Sequence, residues 1–153
     1  MSRRAAIRMD AGELAAFLEG RRTLICATLG RDGWPHLMPL WFVMREAEPW
    51  AWTYAKSQKV RNLERDPRCT LQVEAGEAYG ELRGVMIRAE CELVRDPGAV
   101  AEIGAELAVR YGGASLGEEL EQAMRRQAQK RVGLRFTPRS MATWDHRKLA
   151  GTY

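Results

Sequence analysis

The sequence has few of the side chains from which most catalytic centres are built. It contains only two histidines, His36 and His146, and neither an HExxH nor a CxxC motif. Zinc hydrolysis therefore lacks its usual ligands, and with so few histidines we do not expect serine-triad chemistry. No GxGxxG segment and no Walker A loop is present, which excludes the common phosphate-binding loops. If the chain is an enzyme, we expect a bound cofactor, rather than a catalytic side chain or a metal, to carry the reactivity.

Long apolar runs and cysteines are also scarce. No stretch approaches the ~20 apolar residues that cross a bilayer, and the N-terminal segment lacks the continuous apolar core of a signal peptide. Three widely spaced cysteines, each inside an apolar run, favour small buried hydrophobes in a reducing cytoplasm: Cys26, Cys69 and Cys91. With 153 residues, 46% of them hydrophobic, we expect one cytoplasmic globular domain over 1–153.

Lysine is rare, arginine is abundant, and the basic residues are unevenly distributed. Lys and Arg total 24 against 20 Asp and Glu, for a formal charge of +4, and 20 of the 24 are Arg. Residues 56–68 hold five basic and two acidic side chains, and residues 121–148 hold eight and two. Such clusters are typical of proteins with an anionic partner, although an arginine bias also follows from a GC-rich genome.

The apolar periodicity predicts short strands and few helices. A capping box at Asp10 and Glu13 begins a helix over 10–19, Ser57 caps a second helix ending at Asp66, and a helical insertion occupies 97–130. Three opening strands are expected to form a meander, and four more follow: 23–29, 35–44 and 50–54, then 69–73, 82–94, 132–136 and 141–144. Six or seven antiparallel strands with peripheral helices indicate a mainly β protein folded as a closed or partly closed barrel.

The segment 57–62 is the best candidate for holding an anion. A strand ends just before it, Ser57 stands at the predicted helix N-terminus, and the cations Lys59 and Arg61 follow within one turn. The free amide groups and dipole of a helix N-terminus favour phosphate. Lys59 adds a positive charge, and Ser57 and Thr53 add hydroxyl donors. A solvated basic helix with an ordinary serine cap is the structural alternative.

Other candidates carry less information. Tryptophans around the first strands either wall a planar ligand or pack in a core or dimer interface: Trp34, Trp41, Trp50 and Trp52. His36 is interpreted as a hydrogen-bonded strand residue rather than a base. Asp145 and His146 are interpreted as part of a surface or interface segment, because strand neighbours point to opposite faces. Tyr79 and Arg83 flank a turn and could reach a ligand held by a partner subunit.

Several of these segments, in this order, resemble a known family. They are Arg31-Asp-Gly-Trp-Pro-His36 with Pro39-Leu-Trp41, Ser57-Gln-Lys-Val-Arg-Asn-Leu-Glu-Arg-Asp-Pro-Arg68, Leu82-Arg-Gly-Val-Met86, Arg110-Tyr-Gly112 and Trp144-Asp-His-Arg-Lys-Leu149. Together they are similar to the flavin and deazaflavin oxidoreductases of the pyridoxamine 5′-phosphate oxidase-like split-barrel superfamily, over residues 10–153. No single motif is diagnostic, and the resemblance depends on their order and spacing.

The resemblance implies a split β-barrel homodimer with two cofactor sites at the subunit interface. Coenzyme F420, with its phosphate and polyglutamate tail, is the expected cofactor, FMN is the second choice, and haem is a third. The chain is shorter than true pyridoxamine phosphate oxidases and lacks their C-terminal substrate segment, so vitamin B6 oxidation is not expected. The residues matching cofactor-binding positions are Pro39, Leu40 and Trp41 along the ring, Thr53, Ser57, Lys59 and Asn62 around the phosphate, and Tyr79 from the other subunit.

The resemblance and the missing catalytic motifs together predict an oxidoreductase. It would transfer a hydride between reduced F420, or FMN, and a small conjugated acceptor such as an enone, a quinone, a tetrapyrrole or a nitroaromatic. The alternative is a non-catalytic protein that carries or stores a flavin or haem on the same fold. A nucleic-acid-binding barrel is disfavoured, because the aromatic residues are not interleaved with Lys and Arg.

Overall fold

Every strand of residues 2–149, the part of the chain that the computed structural model describes, belongs to one antiparallel sheet. The strands are β1 (Leu24–Leu29), β2 (Pro35–Leu40), β3 (Val43–Arg45), β4 (Glu48–Tyr54), β5 (Arg68–Ala75), β6 (Arg83–Val94) and β7 (Arg131–Asp145). The helices are α1 (Arg3–Ala6), α2 (Ala11–Glu19), α3 (Gln58–Arg65), α4 (Pro97–Gly112) and α5 (Glu118–Ala128), with 3₁₀ turns at Tyr79–Glu81 and His146–Leu149.

The sheet curls into a barrel that stays open along one line. Its strand order is β2-β1-β5-β6-β7-β4-β3, so the two edge strands are β2 and β3. These edges are consecutive in the chain and are separated only by Trp41 and Phe42, which we call the crossover. Two residues span a short distance, so the end of β2 and the start of β3 lie close together. No ladder of hydrogen bonds joins them within residues 2–149, and the predicted mainly β, partly closed barrel is confirmed as a split barrel.

The predicted opening meander is confirmed only in part, because its second strand is divided into β2 and β3. Strands β1 and β2 form the expected hairpin, and Gly33 in its turn has φ 83°, a conformation that favours glycine. Strand β4, however, pairs with β3 and β7 rather than with β2. The run predicted as one strand over 35–44 breaks at the crossover, because Phe42 turns into the core and is fully buried. The chain thereby passes to the opposite edge of the sheet.

The two strands predicted at 132–136 and 141–144 are one strand, β7. It pairs with β6 along its length, and the register shifts between Arg88 and Ala89. Arg88 pairs with Ser140 and Ala89 pairs with Pro138, so Arg139 is an extra residue on β7. A bulge of this kind accommodates Pro138, which has no amide hydrogen to donate to the ladder. Helix α1 was not predicted from the sequence.

The core is the barrel interior, formed by the alternate residues of each strand that point inward. Phe42, Leu71, Ile87, Leu134 and Phe136 are at most 1% exposed. The three cysteines are free and buried in this core, as predicted. A hydrogen bond with Cys26 raises the pKa of the Cys69 thiol, and burial raises the pKa of Cys91, so both stay protonated. No helix of the described part of the chain is long and apolar enough to cross a membrane.

The helices complete the barrel from three sides. The predicted capping box of α2 is present, with Asp10 accepting from the Glu13 amide at 2.8 Å. Helix α3 buries Val60 and Leu63 in the barrel core. Helix α4 packs outside, where Gly104 lies against Trp52 so closely that a Cβ atom there would clash with the indole. This contact fixes α4 against β4.

Candidate functional site

The β4–α3 junction brings together three of the predicted site residues. Along β4 the burial alternates, so that Thr53 points into the barrel at 7% exposure while Tyr54 points out. The chain then turns, with the Ser57 amide donating to the Tyr54 carbonyl at 3.0 Å. Helix α3 begins at the next residue and returns Lys59 towards Thr53. The alternation along β4 and the tight turn after it are therefore enough to bring Lys59 to Thr53.

Lys59 is a buried cation without a carboxylate partner. It is 7% exposed, and its Nζ donates to Thr53 Oγ1 at 3.0 Å. No acidic side chain in residues 2–149 forms an ion pair with it. Burial lowers the pKa of Lys59, and only the neighbouring Cys26 thiol opposes this change. The ammonium therefore keeps two hydrogen-bond donors and a charge for an anion to satisfy.

Ser57 does not cap α3 as predicted. It occupies the N-cap position with extended backbone, φ −69° and ψ 155°, but its side chain makes no capping hydrogen bond. Its Oγ is instead buried with no partner among the described residues. The amide groups of the first helical turn therefore receive no side-chain acceptor. The Val60 amide donates to the Ser57 carbonyl at 3.2 Å, which leaves the Gln58 and Lys59 amides of the first turn without a partner in residues 2–149. With the Ser57 hydroxyl and the Lys59 ammonium, these two amides give a donor set whose chemistry fits a phosphate.

Asn62 is placed differently from the other phosphate candidates. It is fully buried, its Nδ2 donates to Thr28 Oγ1 at 3.0 Å, and its Oδ1 accepts from Gln58 Nε2 at 2.9 Å. Thr28 is a buried residue of β1, so this amide ties α3 to the barrel wall. The observed contacts are structural, and a direct contact of Asn62 with a phosphate stays a prediction.

The three predicted ring-side residues lie at the open line of the barrel. Pro39 is exposed on the edge strand β2, and Leu40 is half-buried against the core. Trp41, the first residue of the crossover, is 57% exposed and stacks on Tyr111 of α4. The ring centroids are 4.5 Å apart and the planes differ by 7°. Pro39 and Trp41 are therefore open to solvent, whereas Leu40 faces the core.

Tyr79 and the segment after β7 form a separate group. Tyr79 is 54% exposed, its carbonyl lies 2.9 Å from His146 Nδ1, and the two rings are tilted by 45° at 4.5 Å. Asp145 pairs with Arg147 at 2.6 Å rather than with His146, and that hydrogen bond lowers the pKa of the carboxylate. Asp145 and His146 are therefore not arranged as an acid–base pair. An approach of Tyr79 to a partner's ligand stays a prediction.

The remaining aromatic candidates do not form one cluster. Trp34 is 76% exposed in the β1–β2 turn. Trp50 and Trp52 pack beneath α4 with Val43, Ile103 and Leu107, and arginines stack over both indoles. For these two residues, packing rather than ligand contact is the observed role. His36 Nδ1 is buried without the hydrogen bond predicted for a strand histidine.

The pentapeptide 113–117, Gly-Ala-Ser-Leu-Gly, matches the GxSxG pattern of serine hydrolases. That pattern carries a nucleophile only where a strand turns sharply into a helix. Here it connects α4 to α5, and Gly113, with φ 63°, ends α4 as its left-handed cap. The pattern is therefore a helix terminus, and Ser115 is not a nucleophile of that type.

Together, the split barrel and the donor set at the β4–α3 junction are features of one family. Residues 11–145 match the family described as pyridoxamine 5′-phosphate oxidase. The chain belongs to this family, within the split-barrel superfamily that the sequence resembles. No curated protein matches the sequence.

Solved structures agree with this assignment. The conserved hypothetical protein Rv2991 from Mycobacterium tuberculosis is 39% identical, with a TM-score of 0.92 over 100% of this chain and 95% of its own. An F420 reductase is 24% identical, with a TM-score of 0.67 over 87% and 98%. The haem storage protein HutZ from Vibrio cholerae is 21% identical, with a TM-score of 0.67 over 86% and 92%. The last two similarities concern the fold alone.

Proposed function

We propose that this protein is an oxidoreductase that transfers a hydride between a reduced deazaflavin, coenzyme F420, and a small conjugated acceptor, with FMN as the second-choice cofactor. The observation that carries the proposal is Lys59, a buried ammonium that lacks a counter-charge. A phosphate bound at the α3 N-terminus would supply that charge. It would also accept from the Ser57 hydroxyl, which has no partner in the described chain.

The roles of the chain's own residues follow from this placement. Lys59, Ser57 and Thr53 would hold the phosphate, and the wall of Pro39, Leu40 and Trp41 would orient a tricyclic ring and exclude water from one face. The cofactor ring, when bound, supplies the redox chemistry. No nucleophile is required of the protein, which suits a site containing hydroxyls, an amine and apolar side chains.

F420 is preferred to FMN because its longer anionic tail suits a basic chain. The formal charge is +4, and the segment 56–68 that contains the site carries a net +3. The fold is shared with a protein described as an F420 reductase. The same fold also occurs in a haem storage protein, so a non-catalytic carrier of flavin or haem is the alternative function.

We further propose that the protein works as a homodimer in the cytoplasm. The edge strand β2 exposes apolar side chains, including Leu37 at 55% and Met38 at 42%, which a second copy would cover. Tyr79 would then approach the cofactor of the partner subunit. The three free cysteines suit a reducing compartment. Equilibrium ultracentrifugation tests the dimer, and a monomer at micromolar concentration would contradict it.

The proposed function is tested by titrating the purified protein with F420 and with FMN, following cofactor fluorescence. We expect saturable binding, tighter for F420, and oxidation of the reduced cofactor when an enone or a quinone is added. Lys59→Met should weaken this binding. Lys56→Met, which removes an exposed lysine of the same segment, is its matched charge control. Binding without turnover on any acceptor would favour the carrier, and no binding of either cofactor would refute the proposal.

A further inference from the structure

The last turn of α4 contacts the crossover through Tyr111. The hydroxyl of Tyr111 accepts from the Phe42 amide at 3.0 Å and donates to the Phe42 carbonyl at 2.8 Å. Both backbone groups of one residue are thus bonded to a single side chain. The neighbouring Trp41 stacks in parallel on the same tyrosine ring. One side chain therefore fixes both residues that join the edges of the sheet.

Tyr111 is itself held from its other side. The guanidinium of Arg110 lies 5.0 Å from the Phe42 ring and donates to the carbonyls of Leu18, Glu19 and Arg21. The guanidinium of Arg22 lies over the Tyr111 ring at 5.5 Å. These contacts tie the end of α4 to the end of α2 and to the segment that follows it, so the tyrosine is anchored on that side as well.

The stack leaves one face of the Trp41 indole available. Tyr111 covers one face, yet the residue remains 57% exposed, so the opposite face and the ring edge are open. An exposed indole backed by a second ring is a rigid surface for a planar conjugated ligand, because its orientation is already fixed before binding. A mobile indole would have to be ordered by the ligand.

We propose that Tyr111 is a positioning residue, which orients Trp41 and the crossover as a wall that selects planar conjugated ring systems. This inference rests on the proposed function for its ligand, but the contact between Tyr111 and the crossover does not. Tyr111 acts on the bound ring only through Trp41. Helix α4, which packs outside the barrel, thereby takes part in selection of the cofactor ring.

Two substitutions separate the hydroxyl from the ring. Tyr111→Phe removes the two hydrogen bonds to Phe42 and keeps the stack on Trp41. Tyr111→Leu removes the hydrogen bonds and the stack. Tyr54→Phe, which deletes an exposed tyrosine hydroxyl on the outer side of β4, is the matched control. Relative to the wild type, hydrogen exchange of the Phe42 amide should accelerate about tenfold in both Tyr111 variants and should stay unchanged in the control.

Cofactor titrations then test selection. For F420 and FMN, Tyr111→Leu should raise Kd about two- to tenfold, and Tyr111→Phe should recover most of this loss because it keeps the stack. For inorganic phosphate, which has no ring, Kd should change less than about twofold. A merely structural tyrosine would change stability and all three affinities alike.

The outcomes are distinguishable. If the wild type binds neither F420 nor FMN, the proposed function fails before any variant is compared. If the wild type binds the cofactors, but phosphate and the cofactors respond equally to Tyr111→Leu, the selection by Trp41 is refuted while the phosphate site stands. Unchanged exchange of the Phe42 amide in Tyr111→Phe would overturn the positioning role itself.

Discussion

Replacing Lys59 with methionine should affect stability and cofactor binding in opposite directions. Methionine has a similar length and no charge, so it fills the same buried space. In the cofactor-free protein, the ammonium is desolvated and bonded only to Thr53 among described residues. Losing that bond costs about 1 kcal/mol, and removing an unpaired buried charge offsets it. We expect the free energy of unfolding to equal or exceed that of the wild type.

Cofactor affinity should fall in the same variant. The ammonium keeps two donors for a phosphate, and one charged hydrogen bond contributes about 1.5–3 kcal/mol, so the Kd for F420 or FMN should rise about ten- to a hundredfold. The titration is done at constant ionic strength, because salt screens exposed charges. The control Lys56→Met should change Kd less than about twofold.

The pH dependence of stability gives an independent check. Burial lowers the pKa of Lys59 in the folded chain below the 10.5 of an unfolded lysine. Between the two values the unfolded chain binds more protons, so the stability of the cofactor-free wild type should rise with pH across this window. Urea unfolding of Lys59→Met should lack that contribution. Equal slopes in both proteins, or an unchanged Kd, would refute the assignment of Lys59 as an uncompensated cation.

Three further predictions concern other contacts. Ser57→Ala should change the free energy of unfolding by less than about 0.5 kcal/mol, because Oγ has no partner, yet raise the cofactor Kd about threefold or more; unchanged affinity would contradict the phosphate site. Gly104→Ala should destabilise the protein by about 1–3 kcal/mol in urea unfolding, since its Cβ would meet Trp52. Asp145 has a pKa lowered by its hydrogen bond to Arg147, which stabilises the protein above the unfolded value of 3.8 and is lost in acid. Asp145→Asn should therefore be less stable at neutral pH and lose less stability on acidification.

The sequence was informative where a local pattern decides the structure. The capping box at Asp10, the Gly33 turn and the alternation along β5 and β6 each depend on neighbouring residues. The approach of Thr53, Ser57 and Lys59 followed from a strand ending shortly before a helix. Periodicity indicated a closed or partly closed barrel, and the family resemblance specified a split barrel.

Contacts between distant segments could not be predicted in this way. The pairing of β4 with β7 joins Trp50 to Arg135, and nothing near Trp50 in the sequence specifies that partner. The pairing of Asn62 with Thr28 was missed for the same reason. Tyr111 lay within a matching segment, Arg110-Tyr-Gly112, but its contact with Phe42 depends on how α4 crosses the open line of the barrel.

The order of strands in the sheet also sets an order of assembly. During synthesis, β2, β5 and β6 can each pair as soon as they emerge, because each has a neighbour that precedes it in the chain. Within residues 2–149, the β3–β4 hairpin joins the rest of the sheet through β7, which follows every other strand of that range. Thr53 and the start of α3 therefore reach their final positions late, after residues 131–135 have left the ribosome. A nascent chain lacking β7 should acquire half a barrel and no cofactor affinity.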